Sequence, residues 1–123
     1  MMNASGTTIP PIDLQEALDR AMGEKEFLAL LIEEFTDGLE TELDRLRQAI
    51  SREDHQTLTK QSHMLKGAAG NLSAKALAMA IRRLEEAGRG GDFQKSAVIV
   101  DEVESEAVRL RTYMDQVDWS GVN

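Results

Sequence analysis

The sequence predicts an all-α fold, an antiparallel up-down four-helix bundle with a short additional N-terminal helix. Three observations lead there. Apolar residues recur at spacings of three and four through most of the chain, which is the period of a helix buried along one face. Aromatic residues make up only 4% of the chain, whereas Leu, Ala and Met are plentiful, and the two prolines stand together at positions 10 and 11. At 123 residues the chain can bury one hydrophobic core but hardly two. Four substantial helices on short loops, each with one apolar stripe, pack most economically around a common axis.

Residues 1–11 are small, polar and proline-ended, and read as a flexible arm; residues 12–117 form the bundle and 118–123 a frayed tail. Asp13 is placed to cap a first short helix with Leu14, Ala17, Leu18 and Ala21 on one face, ended by Gly23. Residues 24–51 carry Leu28, Leu31, Phe35, Leu39, Leu43, Leu46 and Ile50 between charged residues, the pattern of a long amphipathic helix. Asp54 then caps a third helix with the stripe Leu58, Ser62, Leu65, Ala69 and Leu72. A fourth, expected to be capped by Ser73, carries Leu77, Ala80, Ile81 and Leu84. The run AGRGGD at 87–92 reads as the clearest loop. Phe93, Ala97, Val100, Val103, Ala107, Leu110, Met114 and Val117 mark the last helix, and Trp119 is free to fold back onto the bundle.

Composition narrows the function. The absence of cysteine excludes a disulfide framework, a zinc knuckle and a thiol nucleophile, and favours a reducing, cytoplasmic address. A net charge of −8 argues against nucleic acid and anionic lipid, whose recognition needs clustered Lys and Arg. The opening MMNASGTTIPPI lacks the basic and apolar regions of a secretory signal, and no apolar run approaches the roughly 20 residues that cross a bilayer.

The stretch SHMLKGAAGNL at 62–72 carries the chemistry. On a wheel of about 100° per residue, His63 lies roughly 160° from Leu65 at the centre of the buried stripe, and so points to water. Gly67 and Gly70 share its face, while Lys60 and Lys66 flank it one turn to either side. Each glycine costs up to about 1 kcal/mol relative to alanine inside a helix. On a solvent face that cost is not explained by internal packing; it suits a surface that another protein must approach closely. An exposed neutral imidazole is nucleophilic near pH 7, and adjacent ammonium groups can screen an anionic product, so the pattern suits a carrier of phosphoryl groups.

These residues also resemble a known family. His63-Met64-Leu65-Lys66-Gly67-Ala68-Ala69, followed by Leu72, Leu77 and Leu84-Glu85, is similar to the signature of the histidine-containing phosphotransfer (HPt) domain. The likeness runs from about Asp13 to Val117 and includes FLALLIEEF and AGRGGD. Ser62, where Ala is common, and Ser73, where Gly is common, depart from the pattern; Ser73 suggests a capped junction between the helices on either side.

The resemblance implies a phosphorelay intermediate of two-component signalling. His63 would take a phosphoryl group from a receiver-domain aspartate or a kinase and pass it to another receiver's aspartate. It implies a phosphocarrier rather than an enzyme, with no cofactor or nucleotide site of its own and with magnesium on the partner receiver; the sequence indeed lacks GxxxxGK[ST]. By family position, Glu85 would orient the imidazole through Nδ1; Lys66, one turn from His63 on the accessible side, is placed by its spacing to stabilise phosphate charge. Lys60, Gly67, Gly70 and Arg89 fall on the partner-binding side. The expected partners are response-regulator receiver domains and a hybrid sensor histidine kinase. His55 reads as a solvent residue.

A di-iron carboxylate bundle needs Glu-x-x-His pairs, yet Lys60 and Arg52 stand three residues before the two histidines. A histidine-kinase phosphoacceptor helix pair lacks here its His-Glu and nearby proline. The remaining alternative is a non-catalytic helical adaptor that binds a receiver-like partner without phosphotransfer. With no second apolar stripe to support a dimer, the chain is expected to be a monomer.

Overall fold

Helix termini set the architecture. In the protein, a computed structural model that describes residues 9–122, the elements are α1 (Leu14–Arg20), α2 (Lys25–Ser51), α3 (His55–Asn71), α4 (Lys75–Arg89), α5 (Phe93–Gln116) and a 3-10 turn at Trp119–Gly121. Only three residues separate α2 from α3, α3 from α4 and α4 from α5. Each of these junctions turns on one residue in the left-handed conformation, Glu53 (φ 55), Ser73 (φ 59) and Gly91 (φ 71), and the end of α1 on two, Met22 (φ 58) and Gly23 (φ 79). The turn returns two amides to the helix just left. At the end of α3, Ser73 N–H donates to Gly70 O at 3.0 Å and Ala74 N–H to Ala69 O at 3.0 Å, so carbonyls that the helix leaves unpaired are satisfied. The next residue then caps the following helix, as Asp54 does by accepting from Thr57 N–H and Asp92 from Lys95 N–H.

Ser73 therefore does not cap α4, as expected above. It occupies the left-handed site that glycine takes most cheaply, Ala74 is the N-cap, and the Ser73 hydroxyl donates instead to Glu16 of α1 at 2.7 Å. Asp13 N–H donates to Ser73 O, and Glu16 also meets Lys75, which ties α1 to the α3–α4 junction. Asp13 caps α1 as the sequence predicts. The loop at 87–92 is shorter than expected: α4 continues to Arg89 and the turn spans 90–92. Gly88 explains the difference. A Cβ there would meet Leu58 Cγ at 2.9 Å and Cδ2 at 3.0 Å, so this glycine serves close packing of two helices, not a loop.

α3 packs on α4, α4 on α5, α5 on α2 and α2 on α3, closing a ring of four helices around one core, with α1 against α2. Leu18, Leu46, Leu58, Ile81, Leu84, Val103 and Leu110 are fully buried there. The buried line of α2 runs through Ile32, Thr36 and Ala49, whereas Leu31, Phe35 and Ile50 are half-buried. The heptad-like choice drifts off a 3.6-residue helix, and Thr36 is tolerated inside because its hydroxyl donates to Ile32 O at 2.9 Å. In α5, Ala97 is exposed and Ser96 buried, its hydroxyl donating to Asp92 O at 2.7 Å. Trp119 does fold back: its ring packs on the core and its carbonyl accepts from Lys25 Nζ at 2.9 Å.

Of the expected arm, residues 1–8 lie outside the described residues. Ile9–Pro11 lies on the bundle, with Ile9 O accepting from Arg109 and Pro11 buried. Among the described residues, no helix is long and apolar enough to cross a membrane.

Candidate functional site

One buried carboxylate organises the face between α3 and α4. Glu85 follows Leu84 on the inward side of α4, and its side chain is only 3% exposed. Such burial is tolerable for a charge only when every lone pair finds a donor. Oε1 receives Lys66 Nζ at 2.7 Å, and Oε2 receives both His63 Nδ1 at 3.0 Å and Arg89 Nη2 at 2.7 Å. Burial pushes the Glu85 pKa up, but the hydrogen bonds and charges of Lys66 and His63 outweigh it and hold the carboxyl below its ordinary value. Glu85 is thus an anion at neutral pH. It is not the exposed helix acid that most glutamates are.

Gly88 helps to make this contact possible. It lies one turn beyond Glu85, and its missing side chain admits Leu58 of α3 against α4. The close approach brings the α3 ridge of His55, Thr59 and His63, spaced one turn apart, alongside Glu85 and Arg89. These residues, with Lys60, line an open groove of about 680 Å³.

An ionised carboxylate can only accept, so the Glu85 contact places the His63 proton on Nδ1 and leaves the Nε2 lone pair free. The imidazole is 67% exposed, as the helix wheel predicts. Among the described residues Nε2 has no hydrogen-bond partner, so the nucleophilic atom faces solvent.

The expected site residues fall into two groups. His63, Lys66, Glu85 and Arg89 form one connected network. Lys66 is not a free ammonium above the ring, since it is bound to Glu85 and 33% exposed. Arg89 belongs to the last turn of α4 rather than to a loop. Lys60 is exposed and, among the described residues, makes no ion pair. Gly67 is exposed with nothing within 4 Å of a Cβ, so the fold itself does not require a glycine there. Gly70 also has open space, but its carbonyl accepts from Arg20 Nη1 at 2.8 Å, and it adjoins α1.

Sequence reasoning passed over Thr59, whose buried hydroxyl is unpaired and which lines the groove; His55, exposed as expected, stands at the same groove. Their spacing of four and eight residues before His63 carried the signal. No group of three or more His, Asp and Glu among the described residues is arranged to hold a metal ion.

This is the geometry of a small helical protein presenting an exposed imidazole. The model of the Hpt domain matches residues 30–118, so the chain belongs to the Hpt domain family. A solved structure, histidine-containing phosphotransfer protein B (HptB) from Pseudomonas aeruginosa PAO1, is similar at 26% identity and a TM-score of 0.78, over 89% of this chain and 95% of that one. No curated protein sequence matches the chain. Membership supports a histidine phosphotransfer role in a phosphorelay.

Proposed function

We propose that His63 is the phosphoacceptor of an intermediate that shuttles phosphate between response-regulator receiver domains. The observation that carries this reading is the exposed Nε2 of an imidazole whose Nδ1 is held by a buried carboxylate. Nε2 attacks the phosphorus of a receiver's aspartyl phosphate, the P–N bond forms as the P–O bond to the aspartate breaks, and a carboxylate leaves. The ring becomes cationic as its lone pair is used, and Glu85 stabilises that charge while fixing the tautomer. Lys66 and Arg89 already stand beside the carboxylate, and either can turn to the new phosphoryl oxygens. The return step reverses these bonds on a second receiver. Magnesium is supplied by the receiver, and the chain is a phosphocarrier rather than an enzyme.

The three-residue connections favour an antiparallel up-down order, which sets His63 midway along α3 on an open face. Lys60, Gly67 and Gly70 lie on the side a receiver must approach. A hybrid sensor histidine kinase is the natural source of the phosphate, and the chain acts as a cytoplasmic monomer.

The test is to mix the protein with a phosphorylated receiver domain and assay acid-labile phosphate. His63→Gln abolishes uptake and leaves the helical spectrum unchanged, because an exposed side chain contributes little to packing. Uptake that persists in His63→Gln, or that is lost in His55→Gln instead, identifies a different nucleophile. Binding of the receiver with no phosphate transfer makes the protein an adaptor.

A further inference from the structure

The Thr59 hydroxyl oxygen is buried and, among the described residues, makes no hydrogen bond. A polar atom kept from water without a partner destabilises a fold, and a helical threonine ordinarily avoids this by turning its hydroxyl to a carbonyl three or four residues back. Thr36 does so, donating to Ile32 O at 2.9 Å. Thr59 does not.

Its surroundings suggest what the hydroxyl is kept for. Thr59 lies one turn before His63 on α3, and Gly88 one turn beyond Glu85 on α4. A Cβ on Gly88 would stand 3.4 Å from Thr59 Oγ1, so the two helices keep step: His63 meets Glu85, and one turn along Thr59 meets the crevice at Gly88. Thr59, His63, Glu85 and Arg89 line one groove. Ser62, the other buried hydroxyl without a partner among the described residues, belongs to the core line of Leu58, Leu65 and Ala69 and does not line it.

A phosphoryl group on Nε2 would upset the balance around Glu85. Arg89 is the cation with freedom to leave, being 65% exposed against 33% for Lys66. Once it turns to the phosphoryl oxygens, Oε2 keeps only His63 Nδ1, and a carboxylate 3% exposed has lost a donor with little access to water.

We propose that Thr59 is a positioning residue for phosphotransfer: when Arg89 leaves Glu85 for the phosphoryl group, the Thr59 hydroxyl rotates out of the Gly88 crevice and donates to the vacated Oε2. The inference rests on the relay reading above. In the free chain the hydroxyl is a donor held in reserve, and its presence lets Arg89 move without stranding a buried anion. Thr59 touches neither phosphate nor receiver; it acts through Glu85 and Arg89.

The experiment uses the whole chain, with Thr59→Val removing the hydroxyl at constant shape and Thr59→Ser keeping it. The first readout is the urea unfolding midpoint of the unphosphorylated protein. Thr59→Val holds or raises the midpoint in the wild-type background, since it deletes an unpaired buried group. In Arg89→Ala, where the hydroxyl already serves Glu85, the same change lowers the midpoint. The second readout is the ratio of phosphate on His63 to phosphate on a receiver domain's aspartate at equilibrium. Docking speeds both directions alike and leaves this ratio unchanged. Thr59→Val lowers it about tenfold, the weak end of the range for one hydrogen bond to a charged group. Thr59→Ser retains the wild-type ratio, and Thr59→Val has no further effect on the ratio in Arg89→Ala.

A midpoint shift of the same sign and size in both backgrounds, or a wild-type ratio in Thr59→Val, overturns the proposal and leaves the relay reading intact. A ratio lowered equally by Val and Ser assigns the effect to packing and overturns it as well. A wild-type chain that takes no phosphate on His63 overturns the relay reading, and the proposal with it.

Discussion

Replacing Glu85 by Gln keeps the shape of the side chain and removes its charge, which tests what the buried carboxylate contributes. An amide has one oxygen where the carboxylate has two. With that oxygen at the Oε2 position, His63 Nδ1 and Arg89 keep an acceptor, while the amide nitrogen, a donor, replaces the Oε1 that Lys66 Nζ meets at 2.7 Å in the wild type. Lys66 must turn to water. A charge-assisted hydrogen bond is worth about 1.5–3 kcal/mol. Lys66 is one-third exposed and Arg89 65% exposed, so both cations recover hydration, and the variant also escapes the cost of burying an anion. The net loss near neutral pH is about 1–2 kcal/mol.

The sign with pH follows from the depressed pKa of Glu85. A carboxyl that holds its proton less tightly when folded adds stability that is complete above its unfolded value of about 4.3 and fades as pH falls through its folded value. Urea unfolding followed by circular dichroism from about pH 7 to about pH 3 should therefore show wild type and Glu85→Gln converging in acid. A gap that stays constant across that range would refute the electrostatic account and leave shape alone as the cause. Phosphate uptake by Glu85→Gln should fall several-fold but survive, since the amide oxygen still holds the Nδ1 proton. Glu85→Leu, with no acceptor, should lose far more.

Other perturbations probe the packing and the face. Gly88→Ala gains helix propensity but drives a Cβ into fully buried Leu58, and should lower stability by about 1–2 kcal/mol in the same urea titration; a stabilised variant would show that α3 and α4 can part cheaply. Gly67→Leu meets open space, so its unfolding midpoint should hold or rise while phosphate transfer from a receiver is blocked; unchanged transfer removes this glycine from the docking face. Glu53→Gly relieves a left-handed residue at an exposed turn and should raise stability by about 0.5–1 kcal/mol by thermal melting, after the added freedom of the unfolded chain is subtracted; no rise would mean that Glu53 sits there without strain.

By itself the sequence determined which segments are helical, the caps of α1 and α3 and the outward direction of His63, because these depend on residues within a turn or two of one another. Asp13 and Asp54 act on amides three residues ahead, and His63 is set opposite Leu65 by helical geometry alone. The exposure of Gly67 was legible for the same reason. What failed locally was decided by neighbours distant in the chain. Ser73 has the composition of an N-cap, but its backbone belongs to the turn that ends α3 and its hydroxyl to Glu16 of α1, 57 residues away. Gly88 looks like a loop residue until Leu58 is packed against it. Ala97 and Ser96 exchange places because the buried phase of α5 follows Ile99, Val100 and Val103.

Glu85 shows the division most clearly. Its family position suggested a contact with His63, but only packing could place a carboxylate out of water and gather Lys66, His63 and Arg89 around it. Charge in a sequence is a list, whereas its energy depends on burial and on distances between helices, which exist only once the bundle has closed.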